Sequence, residues 1–263
     1  MSHFIILRQR IKVIETIKKT TGAMRLISMS LHSRLRNQKN ILESYALEIK
    51  RISSHLMQKK ADSDEIQKNP KSLLQQPIII LIGSQKGLCG AFNENLFQFF
   101  QKQHQVTSAD TIITVGKYAT EYIKKNNIKP YRSYDQFSSS NFVAIADQLK
   151  KLCIALNGPV SVFSNAAPTF FSQKPRKLMV TVAPSDEDEL LTYLNSLQLK
   201  ATFLHILHES LLAEQAARFL SMDAAYRNAD TILNQTRLDY NKTRQTYVTR
   251  ELTELSGGMI AQE

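Results

Sequence analysis

Alternating steps of three and four residues from Ile14 visit Ile14, Ile17, Thr21, Met24, Ser28, Leu31, Leu35, Gln38, Leu42, Tyr45, Ile49, Ile52 and Leu56. Ten of these 13 are apolar. The same stepping from Leu212 visits Leu212, Gln215, Phe219, Met222, Tyr226, Ala229, Leu233, Thr236, Tyr240, Thr243 and Tyr247, and eight of these 11 are apolar or aromatic. Stripes sustained over so many heptads belong to helices that pack along their length. Breakers are scarce where the stripes run. Gly22 is the one glycine before Pro70, the first proline, and Ser185 to Ser256 contains neither residue. An isolated helix is marginal in water, so the two stripes are expected to pair with each other. A domain inserted between them makes the pair antiparallel. A helix of about 55 residues is ~80 Å long at ~1.5 Å per residue, so the pair is expected to project as a rod.

The pattern changes between the stripes. "PIIILIG" (Pro77–Gly83), "TIITVG" (Thr111–Gly116), "PVSVFSN" (Pro159–Asn165) and "KLMVTVAP" (Lys177–Pro184) are short apolar runs, read as strands. Helical patterns follow at Asn93–Gln105, Lys117–Asn127 and Asn141–Leu156. Strands alternating with helices predict a small, mostly parallel sheet. "PSDEDELL" starts the last helix, with Ser185 or Asp186 as cap and acidic residues in its first turn. The stretches Gln58–Gln76 and Ser133–Ser140 read as polar loops. The fold class is therefore α/β plus coiled coil. The segments are 1–69 (N-terminal helix), 70–184 (α/β domain) and 185–263 (the C-terminal helical segment that pairs with the first).

Composition narrows the class. Of 263 residues, 43% are apolar and 22% charged, as in globular chains. Two cysteines, Cys89 and Cys153, are too few for a disulfide framework. No apolar run approaches the roughly 20 residues of a membrane-spanning helix, and charges follow the short N-terminal apolar patch too closely for a secretory signal. A soluble chain that can dock on a membrane complex is expected. The net charge of +11 is concentrated: residues 1–60 hold 13 Lys/Arg against 3 Asp/Glu, whereas residues 205–263 hold 6 against 8. Such a basic helix suits an acidic protein, an anionic membrane or a nucleic acid.

The stretch "GSQKGLCGAFN" (Gly83–Asn93) follows a strand and opens a helix, as phosphate-binding turns do. It fails their templates. No Gly-Lys-Ser/Thr follows Gly83 at the spacing of a P-loop, and Gly83, Gly87 and Gly90 lie four and three apart, not as G-x-G-x-x-G. No acidic residue ends a strand about 20 residues on. The glycines are read as serving a tight turn and close helix packing. His205 and His208 share a helix face, but only the adjacent Glu209 accompanies them, which completes no metal set. Cys89 has no histidine near in sequence to activate it. No catalytic residue, cofactor or metal is expected.

"GLCGAFN" (Gly87–Asn93), "AMRLIS" (Ala23–Ser28) on a basic helix, "SLLAEQAARFLSMDAAYRNADTIL" (Ser210–Leu233) and above all "YNKTRQTYVTRELTEL" (Tyr240–Leu255) resemble the gamma subunit of F-type ATP synthases. The resemblance covers both long helices and the first strand-turn-helix. It implies an antiparallel coiled coil with an inserted Rossmann-like domain, acting as the central rotor shaft that couples ion flow to ATP synthesis or hydrolysis. The implied partners are the alpha and beta subunits of the catalytic head, the epsilon subunit and the membrane ring of c subunits. No nucleic acid or small-molecule substrate is implied. The implied place is the cytoplasmic face of a bacterial inner membrane. The family's beta subunits carry an acidic loop, to which the basic first segment is suited. By match of motif, the implied contacts with beta-subunit loops are Met24, Arg25, Gln85, Lys86, Arg244, Gln245 and Thr249. Lys86 stands where the family usually has arginine, and Gln85 where aspartate is common. Gly22 stands in place of the usual lysine or serine, "SMSLHSRL" lacks an alanine-rich run, and the tail "GGMIAQE" ends in a charge. These departures suit a divergent or second-copy form. Two other classes compete: a basic coiled-coil scaffold for nucleic acid, and a small-ligand α/β enzyme.

Overall fold

The computed structural model describes residues 2–61, 76–104, 110–182 and 189–260, with side chains over 4–55, 76–104, 110–182 and 190–253. The expected cap at Ser185 or Asp186, most of the loop Gln58–Gln76 and the side chains of the tail lie outside the described residues. Ten elements follow in order: α1 (Ser2–Ala61), β1 (Ile78–Ile82), α2 (Phe92–Gln103), β2 (Thr111–Val115), α3 (Lys117–Lys125), β3 (Arg132–Tyr134), α4 (Phe142–Leu156), β4 (Val160–Thr169), β5 (Ser172–Val180) and α5 (Glu189–Ile260). The contacts divide into two compact units. One is Met1–Ile27 with Phe219–Glu263, and the other is Ser28–Arg218.

The second unit is built on a five-stranded sheet of order β3-β2-β1-β4-β5. All pairings are parallel except β4 with β5. β1 is central and wholly buried, which explains why it is apolar at every position. Its side chains alternate between faces. Ile78, Ile80 and Ile82 join a core with α4 (Ile145, Leu149, Cys153) and with Leu35, Phe203, Leu207 and Leu211 of the long helices. Ile79 and Leu81 join the opposite core with Leu96, Phe97 and Phe100 of α2, Ala119 and Ile123 of α3, and Phe163. His208 on α5 sits in the first core, its Nε2 2.9 Å from the Leu35 carbonyl oxygen.

Two local readings need correction. Arg132–Tyr134, placed partly in a polar loop, forms a parallel edge strand beside β2. Three residues are too few to show an alternation. The fourth strand begins at Ser172, not Lys177, ends at Val180, and returns antiparallel as a hairpin with β4. The strand includes Pro175, opposite Asn165, which is tolerated because β5 is an edge strand.

The first unit is the antiparallel coil. Its pairings run in opposite directions: Phe4 stacks on Tyr240 at 4.7 Å, Lys18 pairs with Asp230 at 2.6 Å, and Arg25 pairs with Asp223 at 2.7 Å. Ile14, Ala229 and Leu233 form its apolar centre. The α5 stripe is as expected up to Thr243: Met222, Ala229, Leu233 and Thr236 are buried, and Tyr226, Tyr240 and Thr243 half-buried, whereas Tyr247 is exposed. The α1 stripe is half right. Ile14, Ser28, Leu35 and Ile49 are buried at their expected heptad positions, but Ile17, Tyr45 and Ile52 are exposed. In this unit the steps run four and then three, so the second line of the seam is Ile11, Lys18 and Arg25. Lys18 and Arg25 lay their stems along the seam and place their heads on carboxylates. A count of apolar positions alone passes over such residues. The Arg25 hydrogen bond holds the Asp223 carboxyl below its ordinary range, and the Asp230 hydrogen bond raises Lys18.

Gly22 acquires a role in this coil. The Tyr226 ring lies against it, and a Cβ there would be 3.2 Å from the ring. Lys18 Nζ and the Arg25 guanidinium sit 5.4 and 4.8 Å from the ring centroid. Glycine costs roughly 1 kcal/mol in a helix interior, offset here by a seat for the tyrosine between two cations. Gly22→Leu is expected to destabilise the chain by about 1–3 kcal/mol through overpacking. The check is a double-mutant cycle by urea unfolding. Gly22→Leu should cost much less in a Tyr226→Ala background, whereas strictly additive costs would contradict the seat.

Candidate functional site

β1 ends against α3. A Cβ on Gly83 would approach the Ala119 amide nitrogen to 3.0 Å, so the crossing requires a bare backbone. The chain then turns through Ser84–Ala91 into α2. Asn93, in the first turn of α2, ties the turn down: the Ser84 N–H donates to its Oδ1 at 3.0 Å, and its amide donates to Ser84 Oγ at 2.7 Å. The Ser84 hydroxyl donates to the Lys86 carbonyl at 2.9 Å. Leu88 and Gly90 take positive φ angles of 64° and 59°. Asn165, on β4, donates to the Phe92 carbonyl at 2.9 Å and fixes the start of α2 to the sheet.

The far side of the turn is held by α5. Arg218 donates to the Lys86 carbonyl at 3.0 Å and to the Gly87 carbonyl at 3.3 Å, and it pairs with Glu214 one turn before it. Glu214 and Arg218 are both buried. Burial pushes the Glu214 carboxyl up, and the guanidinium opposes that shift. Ala213 and Ala217 of α5 pack on Cys89 and Phe92. Ligands of doubly wound sheets bind at the carboxyl ends of strands where the order reverses. In this chain that place lies between β1 and β4, and α5 fills it.

The polarity of the turn settles its chemistry. A phosphate needs convergent N–H groups, but this turn aims two carbonyls at a guanidinium. A cleft of about 530 Å³ on its outer side is lined by Leu88, Phe97, Tyr118 and Tyr122 together with Glu94, Glu121 and Lys125. Burial raises the Cys89 thiol, so it is no poised nucleophile. Burial pushes Cys153 to about 12. Among the described residues no group of His, Cys, Asp and Glu could hold a metal.

The seven residues expected to meet a partner fall in three places. Gln85 and Lys86 share the turn, with Lys86 exposed and Gln85 half-buried. Arg244, Gln245 and Thr249 are exposed on the last turns of α5, and the Thr249 hydroxyl donates to the Gln245 carbonyl at 2.9 Å. Met24 and Arg25 are half-buried in the coil. Asp223, the partner of Arg25, lies roughly 30 Å before Arg244 at ~1.5 Å per residue. The Glu214–Arg218 clamp was not foreseen. Its signal was available: an acid and a base four apart inside the apolar run "LLAEQAARF" have no solvent face to occupy.

Comparison with known proteins gives a consistent picture. The family model described as ATP synthase matches residues 5–261. The chain is 29% identical to the ATP synthase gamma chain of Clostridium perfringens, covering 98% of this chain and 97% of that one. It is 28% identical to the gamma chain of Clostridium novyi, covering 98% of both. Among solved structures, a chain of the Euglena gracilis mitochondrial ATP synthase, in an assembly with OSCP, F1 and c-ring, is similar with a TM-score of 0.75 at 16% identity. That likeness covers 99% of this chain and 95% of that one. The Tetrahymena thermophila central stalk and c-ring structure gives a TM-score of 0.57 at 19% identity, over 78% and 99%. At such identities the structures speak for the fold.

Proposed function

The chain belongs to the ATP synthase family, and from that membership we propose that it is the gamma subunit, the central shaft whose rotation couples ion flow through a membrane ring to ATP synthesis or hydrolysis. The observation that carries the reading is the antiparallel coil joined to an α/β unit whose ligand crevice is filled by its own helix. Such a chain transmits force and carries no nucleotide. Its partners are the alpha and beta subunits of the head, the epsilon subunit and the c-ring. It is non-catalytic by itself and works at the cytoplasmic face of a bacterial membrane. The bacterial gamma chains among its relatives support that placement, and among the described residues no helix is long and apolar enough to cross a membrane.

The +10 of residues 1–60 faces an acidic bearing in this reading. Exposed ion pairs are worth only ~0–1 kcal/mol each. They guide the shaft without locking it at one angle, and steric contact carries the torque. Arg244, Gln245 and Thr249 meet a beta-subunit loop near the coil's end, Met24 and Arg25 meet the head lower down, and Gln85 and Lys86 meet it at the turn. Arg244→Ala with Gln245→Ala is expected to lower ATP-driven ion pumping roughly thirtyfold, because each of the two lost polar contacts costs about 1 kcal/mol. Assembly should be unaffected, since both side chains are exposed. Normal pumping by the variant complex would remove these residues from the contact.

A further inference from the structure

The β4–β5 hairpin ends in two phenylalanines that face different ways. Phe170 turns inward, and its ring meets the buried His32 ring edge-on at 4.7 Å. Phe171 is 76% exposed, more than any other large apolar side chain among the described residues. The two rings meet edge to face at 5.3 Å, and the Gln173 amide donates to the Phe170 carbonyl at 2.7 Å. A scattered exposed apolar residue needs no explanation. This one is braced from behind by the half-buried Phe170 ring and a hydrogen-bonded turn, an arrangement that presents it.

Its surroundings are cationic. Arg36, one turn beyond His32 on α1, is exposed, and so is Lys174 on β5. Among the described residues neither has a carboxylate within 4.0 Å. Arg176, by contrast, is paired with Glu209. The tip also has a defined place. β4 runs parallel to β1 with Phe163 opposite Leu81, and it continues to Thr169. Six residues at ~3.3 Å each carry the hairpin about 20 Å further, at the same end of the sheet as the turn with Gln85 and Lys86.

We propose that the hairpin tip is a docking point for an acidic, apolar-edged surface of the catalytic head, with Phe171 seated between apolar side chains and Arg36 and Lys174 facing carboxylates. The proposal rests on the reading of the chain as the shaft of that head. A protein surface is favoured over a lipid one because the tip is continuous with the end of the sheet that carries Lys86.

The test places a photoreactive benzophenone at position 171 in the assembled complex. The expected result is an adduct with an acidic segment of an alpha or beta subunit. The same label at Tyr131, 58% exposed and at the opposite end of the parallel strands, should give no head adduct. An assembled complex in which position 171 labels lipid, a foot subunit or nothing overturns the proposal. A chain that does not assemble with alpha and beta subunits overturns the reading beneath it instead. Phe171→Ala with Lys174→Glu is also expected to speed dissociation of the chain from the head roughly 5–10-fold. An unchanged rate tells against the docking point.

Discussion

Arg218→Met is expected to destabilise the chain by about 3–5 kcal/mol, the cost of leaving the partner of a buried ion pair uncompensated. The partner is Glu214, buried with Arg218 on α5. The loss has a second part: the Lys86 and Gly87 carbonyls lose their donor, so the turn that carries Lys86 is released from α5. The penalty should depend on pH with a definite sign. Burial already raises Glu214 above its ordinary value, and removing the guanidinium raises it further. A carboxyl with a raised folded pKa binds its proton in the folded state before it does in the unfolded one. Stability therefore falls as pH rises from the unfolded value through the folded one. The deficit of Arg218→Met should be largest at alkaline pH and shrink as the pH falls toward 5. Glu214→Gln in the same background should recover part of it. Urea midpoints at several pH values read both effects. A pH-independent deficit would mean that the lost hydrogen bonds, and not the orphaned carboxylate, dominate.

Gly116→Ala is expected to be comparably severe, at about 3 kcal/mol or more. Gly116 has φ of +88°, and its Cβ would fall 2.3 Å from the Gly83 carbonyl oxygen. Neither atom can move freely. The Gly83 N–H donates to Val115, the Gly116 N–H donates to Tyr134, and the Tyr118 N–H donates to Ser84. This crossing sets where α3 starts and how the Ser84–Ala91 turn leaves the sheet. Gly87 is the contrast within the same turn. A Cβ there meets only the Tyr118 hydroxyl, at 2.5 Å, and that ring borders an open cleft. Gly87→Ala should cost about 1 kcal/mol or less. If the two substitutions cost the same, the crossing is not what holds the turn.

The parts of the fold that were legible in the sequence are those where one physical rule dominates. β1 is buried on both faces, so it reads as an unbroken apolar run. α2, α3 and α4 each carry a stripe, and their starts fall within a residue of the expected positions. The α5 stripe was legible because its seam side chains are apolar or aromatic. The α1 stripe was half lost because Lys18 and Arg25 pack by their stems, which a hydrophobic count scores as solvent. β3 is too short to show a period, and β5 was read only from its apolar second half, because Ser172–Arg176 is polar apart from Pro175. At the turn, the sequence showed only that no phosphate-binding template is present. It could not show that Arg218 and Glu214, more than 120 residues away in the chain, occupy the crevice. Proximity of that kind comes from topology. The exposure of Phe171 was illegible for the same reason, since "FF" at a hairpin tip does not say which ring turns in.

The central claim is that this chain is the moving shaft of an ATP synthase, and rotation tests it most directly. The chain, tagged with a bead and assembled with surface-fixed alpha and beta subunits, is expected to turn in one direction when ATP is added and to stop when α5 is cross-linked to the head through a cysteine at Thr249. A head that binds the chain and hydrolyses ATP steadily while the bead stays still would contradict the account.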